Sequence, residues 1–359
     1  VASGPATLVT GTQWRWLPAA DDAPADVGRV SGARLILRVL INQLAAGGYA
    51  RARRLAWRAV RSPINTARWM RTLAELLEAT GVEDAPFDLA RKPGQRFLQN
   101  GVGTRERTNL LAAHYDRLVD RLGCGVVGAL LQGRSILLAH IEGRDEAAFR
   151  LTLSRSPSHT REGELFLALV RTGEAIPLAG LSLVVGALER DDVASLWIGG
   201  LQGRNGEDSK RAVIQATKDL WGLRPKDLLI HVAYALAAAL GASDIRAVSN
   251  AGHALRRAPG ERGWHADYDA FWRELGGQPL NAGVFLLPKA RRRRDESEVA
   301  PAKRKTWRAR YRLIDNLTAA VHRFPQACRA QVQGPVSPLE AHRYAVAVKA
   351  LLRERPAAG

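Results

Sequence analysis

The fold is decided by residues 164–206, ELFLALVRTGEAIPLAGLSLVVGALERDDVASLWIGGLQGRNG. Three apolar stretches run through it, Glu164 to Arg171, Ile176 to Leu188 and Val193 to Gly200. The turn signal Thr172-Gly173-Glu174 separates the first two, and Glu189-Arg190-Asp191-Asp192 the last two. Stretches of this length between charged or glycine-bearing turns are predicted to form three strands of an antiparallel meander. Leu165, Phe166, Leu167, Leu169 and Val170 follow one another almost without polar interruption. A strand that is apolar on both sides needs cover on both, so the sheet is predicted to be buried on its two faces. The third stretch runs out into Gly199-Gly200-Leu201-Gln202-Gly203-Arg204-Asn205-Gly206, which is either a loop whose backbone N–H groups can approach phosphate oxygens or simply a glycine-rich strand exit.

Downstream the period becomes helical. Asp208 to Trp221 places Val213, Thr217, Leu220 and Trp221 on one face. Pro225 suits a first helical turn, Leu228 to Leu240 is apolar nearly all round, and Gly241 offers a stop, so this second helix is expected to be buried. A strand at Asp244 to Ser249, a helix at Asp267 to Leu275 and a strand at Gly283 to Leu287 complete the order β-β-β-α-α-β-α-β. The five strands are expected in one sheet with the 228–240 helix packed on it. Lys289 to Arg312 is a basic run broken by Asp295, Glu296 and Glu298, and a helix is expected from Leu313 to Val321.

Upstream, Leu35, Val39, Leu44, Leu55, Ala59, Trp69, Leu73, Leu76 and Leu77 recur at helical spacing, with breaks near Gly47-Gly48 and Ser62-Pro63. Two or three helices are predicted here, and a further one over Thr108 to Leu122. Between Val27 and Ala74 there is no acidic residue, while Arg29, Arg34, Arg38, Arg51, Arg53, Arg54, Arg58, Arg61, Arg68 and Arg71 accumulate. Such a run is either a phosphate-binding face or a solvated helix surface; Arg51, Arg53, Arg54 and Arg58 are expected to face solvent. The chain's 359 residues exceed what one core usually spans. The division expected is a flexible arm (1–30), a basic helical region (31–122), an α+β core of mixed sheet flanked by helices (123–325) and a C-terminal tail (326–359).

Apolar residues make up 46% and charged residues 25% of the chain, as in an ordinary globule. The 53 basic residues exceed the 35 acidic ones by 18. That excess favours an anionic partner, namely nucleic acid such as tRNA, a phosphorylated cofactor or an anionic membrane surface, or else reflects a GC-rich genome. Cys124 and Cys328 stand far apart with no second ligand at metal spacing, so no metal site and no disulfide framework is expected. No basic leader precedes an apolar run near the start, and the apolar stretch Leu228 to Ser243 is shorter than the roughly 20 residues of a membrane span. The expected location is the cytoplasm, or the periphery of the inner membrane.

Ile198-Gly199-Gly200-Leu201-Gln202-Gly203, Ala216-Thr217-Lys218 and Gly222-Leu223-Arg224-Pro225-Lys226 resemble the central signature of the VirK/YbjX family of bacterial proteins. His114-Tyr115, Arg161-Glu162-Gly163-Glu164-Leu165, Val248-Ser249-Asn250, Asp267-Tyr268-Asp269-Ala270-Phe271-Trp272, Phe285-Leu286-Leu287-Pro288 and Lys303-Arg304-Lys305 flank it in the family's order. The resemblance runs from about residue 34 to residue 320. It implies links to virulence, surface-protein placement and resistance to cationic antimicrobial peptides, and brings no agreed biochemical activity.

The element order also resembles the acyl-CoA-dependent N-acyltransferase (GCN5-related) fold. That likeness implies transfer of an acyl or aminoacyl group to an amine, with the donor entering where the third and fourth predicted strands part. Gln202, Gly203, Arg204, Asn205 and Gly206 fall where that fold binds a pyrophosphate through loop amides and a helix N-terminus. Gly206 comes one position late for the usual Arg/Gln-x-x-Gly-x-Gly/Ala pattern, and Asp208 stands where a small residue is usual; the donor stays open between acyl-CoA and aminoacyl-tRNA. Arg224 and Lys226 are candidate phosphate clamps, unless Arg224 pairs with Asp227 or Asp219. Amine attack needs a base and an acid. Tyr268 is the candidate acid, with His253, Asp267 and Glu164 as its catalytic partners and Glu162 as another base; Asn250, Asp269 and Trp272 would line the acceptor side. The structural alternatives are that Asp267 or Asp269 caps a helix, that Tyr268 is packing, and that His231 and Tyr234 are a core pair. The 202–206 loop, Arg224 and the segment from Asn250 to Tyr268 are expected to converge on one cleft. The competing expectation is a non-catalytic factor that binds anionic lipid or nucleic acid.

Overall fold

The computed structural model describes residues 32–156, 158–188, 193–204, 206–255 and 267–330. The arm at 1–30 and most of the tail after 325 lie outside them. Three helices come first, α1 (Gly32–Ala45), α2 (Tyr49–Arg61) and α3 (Pro63–Thr80), parted at the two predicted breaks. Pro63 opens α3, where a missing N–H costs nothing, and Gly81 closes it in the left-handed conformation (φ +66°). The short α4 (Phe87–Ala90), a 3-10 turn (Lys92–Gly94), α5 (Thr104–Leu122) and α6 (Cys124–Leu131) lead into the sheet.

The sheet has eight strands: β1 (Ser135–Glu142), β2 (Ala148–Arg155), β3 (Leu165–Arg171), β4 (Ala179–Gly186), β5 (Ser195–Gly203), β6 (Asp244–Val248), β7 (Gln278–Asn281) and β8 (Val284–Leu286). Their spatial order is β1-β2-β3-β4-β5-β6-β8-β7. The first five form an antiparallel meander, β6 joins β5 in parallel, and the rest is antiparallel again. The protein is therefore α+β, and all five expected strands share one sheet. β3, β4 and most of β5 are buried on both faces, as their unbroken apolarity requires.

Two crossover helices, α7 (Ser209–Asp219) and α8 (Pro225–Ala239), connect β5 to β6. α8 lies against β3, β4, β5 and β6, and α5 against β4. After α9 (Tyr268–Glu274), α10 (Pro301–Ala330) packs along α8 and also touches α5 and β1. One apolar core runs from Leu35 to Cys328, joining the N-terminal helices to the sheet.

Three features depart from the sequence reading. β1 and β2 precede the expected first strand, and β7 precedes the expected last one. β1 and β2 alternate buried with half-buried or exposed residues along much of their length, so they lack the continuous apolar run that marks β3 to β5. The last helix begins at Pro301 rather than Leu313: the second half of the basic run is its first turns, and Arg293, ahead of the helix, is held by Asp315 at 3.0 Å. No helix among the described residues is long and apolar enough to cross a membrane, and none of their His, Cys, Asp and Glu side chains group in threes that could hold a metal.

Candidate functional site

Where β5 leaves β6, the ladder is irregular. Parallel pairing ends at Ile198 opposite Ala247. On the other side of β5, Ser182 faces Gly200 while Leu183 faces Ile198, which makes Gly199 a bulge residue. The connection between β2 and β3 crosses this point. It is held by Ser156 N–H to Glu164 O (2.7 Å), Glu164 N–H to Leu183 O (2.9 Å) and Leu98 N–H to Arg161 O (2.7 Å). A side chain at Gly199 would overlap the Glu162 carbonyl oxygen, and one at Gly200 the Glu162 carboxylate. The Gly199-Gly200 pair of the strand exit is thus explained by the approach of Glu162.

Glu162 is 4% exposed and gathers polar, uncharged neighbours. Its Oε2 accepts hydrogen bonds from Gln202 Nε2 and, at 3.4 Å, from Ser182 Oγ. Its Oε1 lies 3.7 Å from His253 Nε2. The His253 ring is 5.7 Å from that of Tyr268, and the Tyr268 oxygen accepts from the backbone N–H of Leu201 at 3.3 Å. Burial pushes the Glu162 carboxyl up to about 8, against the hydrogen bonds from Gln202 and Ser182. Burial pulls His253 down to about 4, against a hydrogen bond with the Gly199 backbone. It also raises Tyr268, helped by the Glu162 charge. Near neutral pH the cluster therefore holds a protonated carboxyl, a neutral imidazole and a phenol. It reaches solvent at half-buried Gln202 and exposed Gly203, where a side chain would meet Lys226 Cε at 3.5 Å.

Glu164 goes elsewhere. It is fully buried and pairs with Lys92 Nζ; Tyr115 donates to its Oε2 at 2.5 Å, and Arg155 Nε lies 3.7 Å from that oxygen. Arg155 in turn binds Asp88. This group ties β2, β3, α4, α5 and the 3-10 turn together, and a carboxylate so fully paired is a structural tie rather than a base.

The other predicted residues divide. Asn250 donates through its backbone to Asp269 (2.8 Å) and through Nδ2 to Asp267 (2.8 Å), and accepts from Tyr268 N–H (2.9 Å). Asp267 caps α9 by accepting from Ala270 N–H, and that bond lowers its pKa. Trp272, fully buried, donates to Val248 O at 2.9 Å. Asn250, Asp267, Asp269 and Trp272 therefore hold Tyr268 in place. Arg204 pairs with Glu174, and its backbone N–H is spent on Leu178 O (3.2 Å). Arg224 pairs neither with Asp227 nor with Asp219 but with Glu274 at 3.5 Å, and is largely exposed. Gly206 is exposed with φ +108°, and Asn205 lies outside the described residues. His231 makes no described bond with Tyr234, whose hydroxyl donates to Pro288 O at 2.8 Å.

Of the expected convergence, Gln202, His253 and Tyr268 come together, with Lys226 beside Gly203, while Arg204 and Arg224 turn away; the candidate base Glu164 is engaged elsewhere. Lys92, the partner of Glu164, carried no motif that could have flagged it. Glu162 was legible as one of two acids, without a means of choosing between them.

Residues 48–323 match the family described as "Protein of unknown function (DUF535)". The chain belongs to the VirK/YbjX family. It is 32% identical over 222 residues to the uncharacterized protein YbjX of Escherichia coli (strain K12), covering 61% of this chain and 66% of that one. Two uncharacterized proteins of Haemophilus influenzae are 29% and 26% identical over 127 and 122 residues, or 42% and 41% of their own lengths and 35% and 34% of this chain. The matched segments span just under two thirds of YbjX and about two fifths of the other two. No solved structure matches. Every member of the two acid clusters, from Asp88 to Tyr268, lies inside the family span.

Proposed function

We propose that this VirK/YbjX-family chain transfers an acyl or aminoacyl group to an amine, at the Glu162–His253–Tyr268 cluster beside the parting of β5 and β6. The observation that carries the reading is the pairing of a carboxyl whose pKa is about 8 with a phenol seated on the free edge of β5. Attack of the amine on the donor's carbonyl forms the C–N bond and breaks the C–S or C–O bond. The amine's proton passes to Glu162 in its ionised fraction, which grows as pH approaches 8, and the leaving thiolate or alkoxide takes the proton of Tyr268. Glu162 then returns its proton to the tyrosinate through solvent, which balances the cycle. His253, neutral across the physiological range, positions the carboxylate without neutralising it. A carboxyl that ionises near 8 is a much stronger base than an exposed glutamate, as general base catalysis asks. Lys226, its charge partly desolvated beside Gly203, suits a phosphate on the donor.

The test offers acetyl-CoA, a long-chain acyl-CoA and aminoacyl-tRNA to the purified protein, with native mass spectrometry for a retained donor. At least one donor is expected to bind and be consumed, with Glu162→Gln and Tyr268→Phe each lowering the rate by about 100-fold or more. Binding and consumption of none of the three, or consumption indifferent to both variants, sinks the reading.

A further inference from the structure

Helix formation in α1 to α3 buries one face of each helix and leaves apolar side chains on the other. Leu35 and Val39 of α1 are in the core, while Leu37, Ile41 and Leu44, which share the opposite face, are 57%, 54% and 42% exposed. Leu55 of α2 is buried, but Trp57 and Val60 are 61% and 73% exposed, and Ile64 in the first turn of α3 is 81% exposed. Elsewhere among the described residues, exposed large apolar side chains are isolated ones such as Val193, Ile214 and Leu280. So much exposed apolar surface on three adjoining helices marks an interaction site.

The same helices are basic. Arg51, Arg53, Arg54 and Arg61 are exposed, and with half-buried Arg58 they have no carboxylate partner within ion-pair distance among the described residues. A pocket of about 240 Å³ opens where α2 and the start of α3 meet residues 90–94, with Arg58, Arg61, Ser62, Thr66 and Arg91 among its walls. Arg58 and Arg91 are both held below the usual arginine range by burial and by neighbouring arginines that include Arg161, in Arg91 against the opposing charge of Asp88. Arg91 Nε is buried without a hydrogen-bond partner. Ser62 caps α3 and Thr66 lies in its first turn, so the positive end of the helix dipole faces this side. This is a concave anion site set in an apolar, cationic surface.

We propose that α1 to α3 form a docking surface for an anionic phospholipid bilayer, with Trp57, Val60 and Ile64 entering the interface and the Arg58–Arg61–Arg91 pocket taking a headgroup phosphate. The inference is independent of the acyl-transfer reading. The chemistry selects the lipid. A nucleic acid would satisfy the arginines and leave the aliphatic side chains in water, whereas an anionic bilayer satisfies both.

The test is co-sedimentation of the full chain with vesicles of phosphatidylcholine, and of phosphatidylcholine mixed with phosphatidylglycerol. Binding is expected only to the anionic vesicles, weakening as salt rises. Each arginine near an anionic surface contributes roughly fivefold, so Arg58→Gln, Arg61→Gln and Arg91→Gln together should weaken binding by about 100-fold. Trp57→Ser with Ile64→Ser should weaken it at every salt concentration. Quenching of tryptophan fluorescence by brominated lipid, lost in Trp57→Phe, places the surface independently should a multiple variant fold poorly. Equal binding to neutral vesicles, binding untouched by both variant sets, retained quenching in Trp57→Phe, preference for tRNA over vesicles, or full competition by free glycerol phosphate would each overturn the proposal.

Discussion

Glu162 and Glu164 are separated by one glycine, and their surroundings share almost nothing. Glu164 meets Lys92, Arg155 and the Tyr115 hydroxyl, and its charge is matched on all sides. Glu162 meets an amide, a serine and a histidine held neutral, its charge is felt by a phenol, and no cation among the described residues forms an ion pair with it. Glu164 is therefore a structural tie that holds five elements together. Glu162 is a carboxyl that keeps or gives up its proton near the working pH. Burial alone does not distinguish them, since both are almost wholly enclosed; the charge of the neighbour does.

Removing Glu164 should produce the largest effect. Glu164→Gln strands the amine of Lys92, which is 3% exposed and held by burial well below the usual lysine range, and loss of one partner of a buried pair costs roughly 3–5 kcal/mol. Urea unfolding measures this, and Lys92→Met added to Glu164→Gln should restore much of the loss. If the double variant is no better than the single one, the ion-pair account of Glu164 fails.

Gly199→Ala comes next. Its Cβ would overlap the Glu162 carbonyl, so the crossing segment or the bulge must shift, at about 1–3 kcal/mol. Because Glu162 moves with that segment, tyrosine and histidine NMR signals of Tyr268 and His253 should shift while those of Tyr115 stay. Unchanged stability and spectra would contradict the close approach.

Glu162→Gln should not destabilise at alkaline pH. The folded-state pKa of Glu162 lies above the ordinary carboxyl value of 4.5, at about 8, so the native state keeps a proton that the unfolded state has lost. That linkage makes stability fall as pH rises from about 4.5 to about 8, and the variant lacks the slope. His231 and His253, lowered to about 4, and His114, lowered to about 3, act the other way. Below pH 6.5 the unfolded chain takes up their protons first, so stability is lost as pH falls toward 4. The variant should match the wild type near pH 4.5 and gain on it progressively toward pH 8. Parallel curves would mean that Glu162 titrates as an ordinary glutamate.

The smallest change is Tyr268→Phe. It removes a 3.3 Å acceptor for Leu201 N–H and should cost about 1 kcal/mol, seen as a modest fall in melting temperature. A loss as large as that of Glu164→Gln would make the hydroxyl a structural tie too.

The sheet's centre was legible and its edge was not. Leu165 to Val170 announces a doubly covered strand, whereas Phe149, Leu151 and Leu153 alternate with Arg150, Thr152 and Ser154, a period-two signal that a search for apolar runs passes over. Helix breaks at Gly47-Gly48 and Pro63 were readable because backbone chemistry at those residues is local. The difference between the two glutamates was not. Lys92 lies 72 residues before Glu164, and Gln202 and His253 lie 40 and 91 residues after Glu162, so each environment exists only once distant segments meet. The same holds for Arg224, whose partner Glu274 belongs to a helix fifty residues on.

The parallel seam between β5 and β6 is also expected to order events in time. β1 to β5 pair with their sequence neighbours and need only short loops to close, while β6 must wait for α7 and α8 to bring the chain back across the sheet. Closing a longer loop is slower, since its entropy is lost before any contact repays it. Glu162 and Gln202 belong to the early meander, His253 and Tyr268 to the late arrivals. The cluster thus straddles the slowest seam of the fold, and a newly made chain would own most of its sheet before it owned its site.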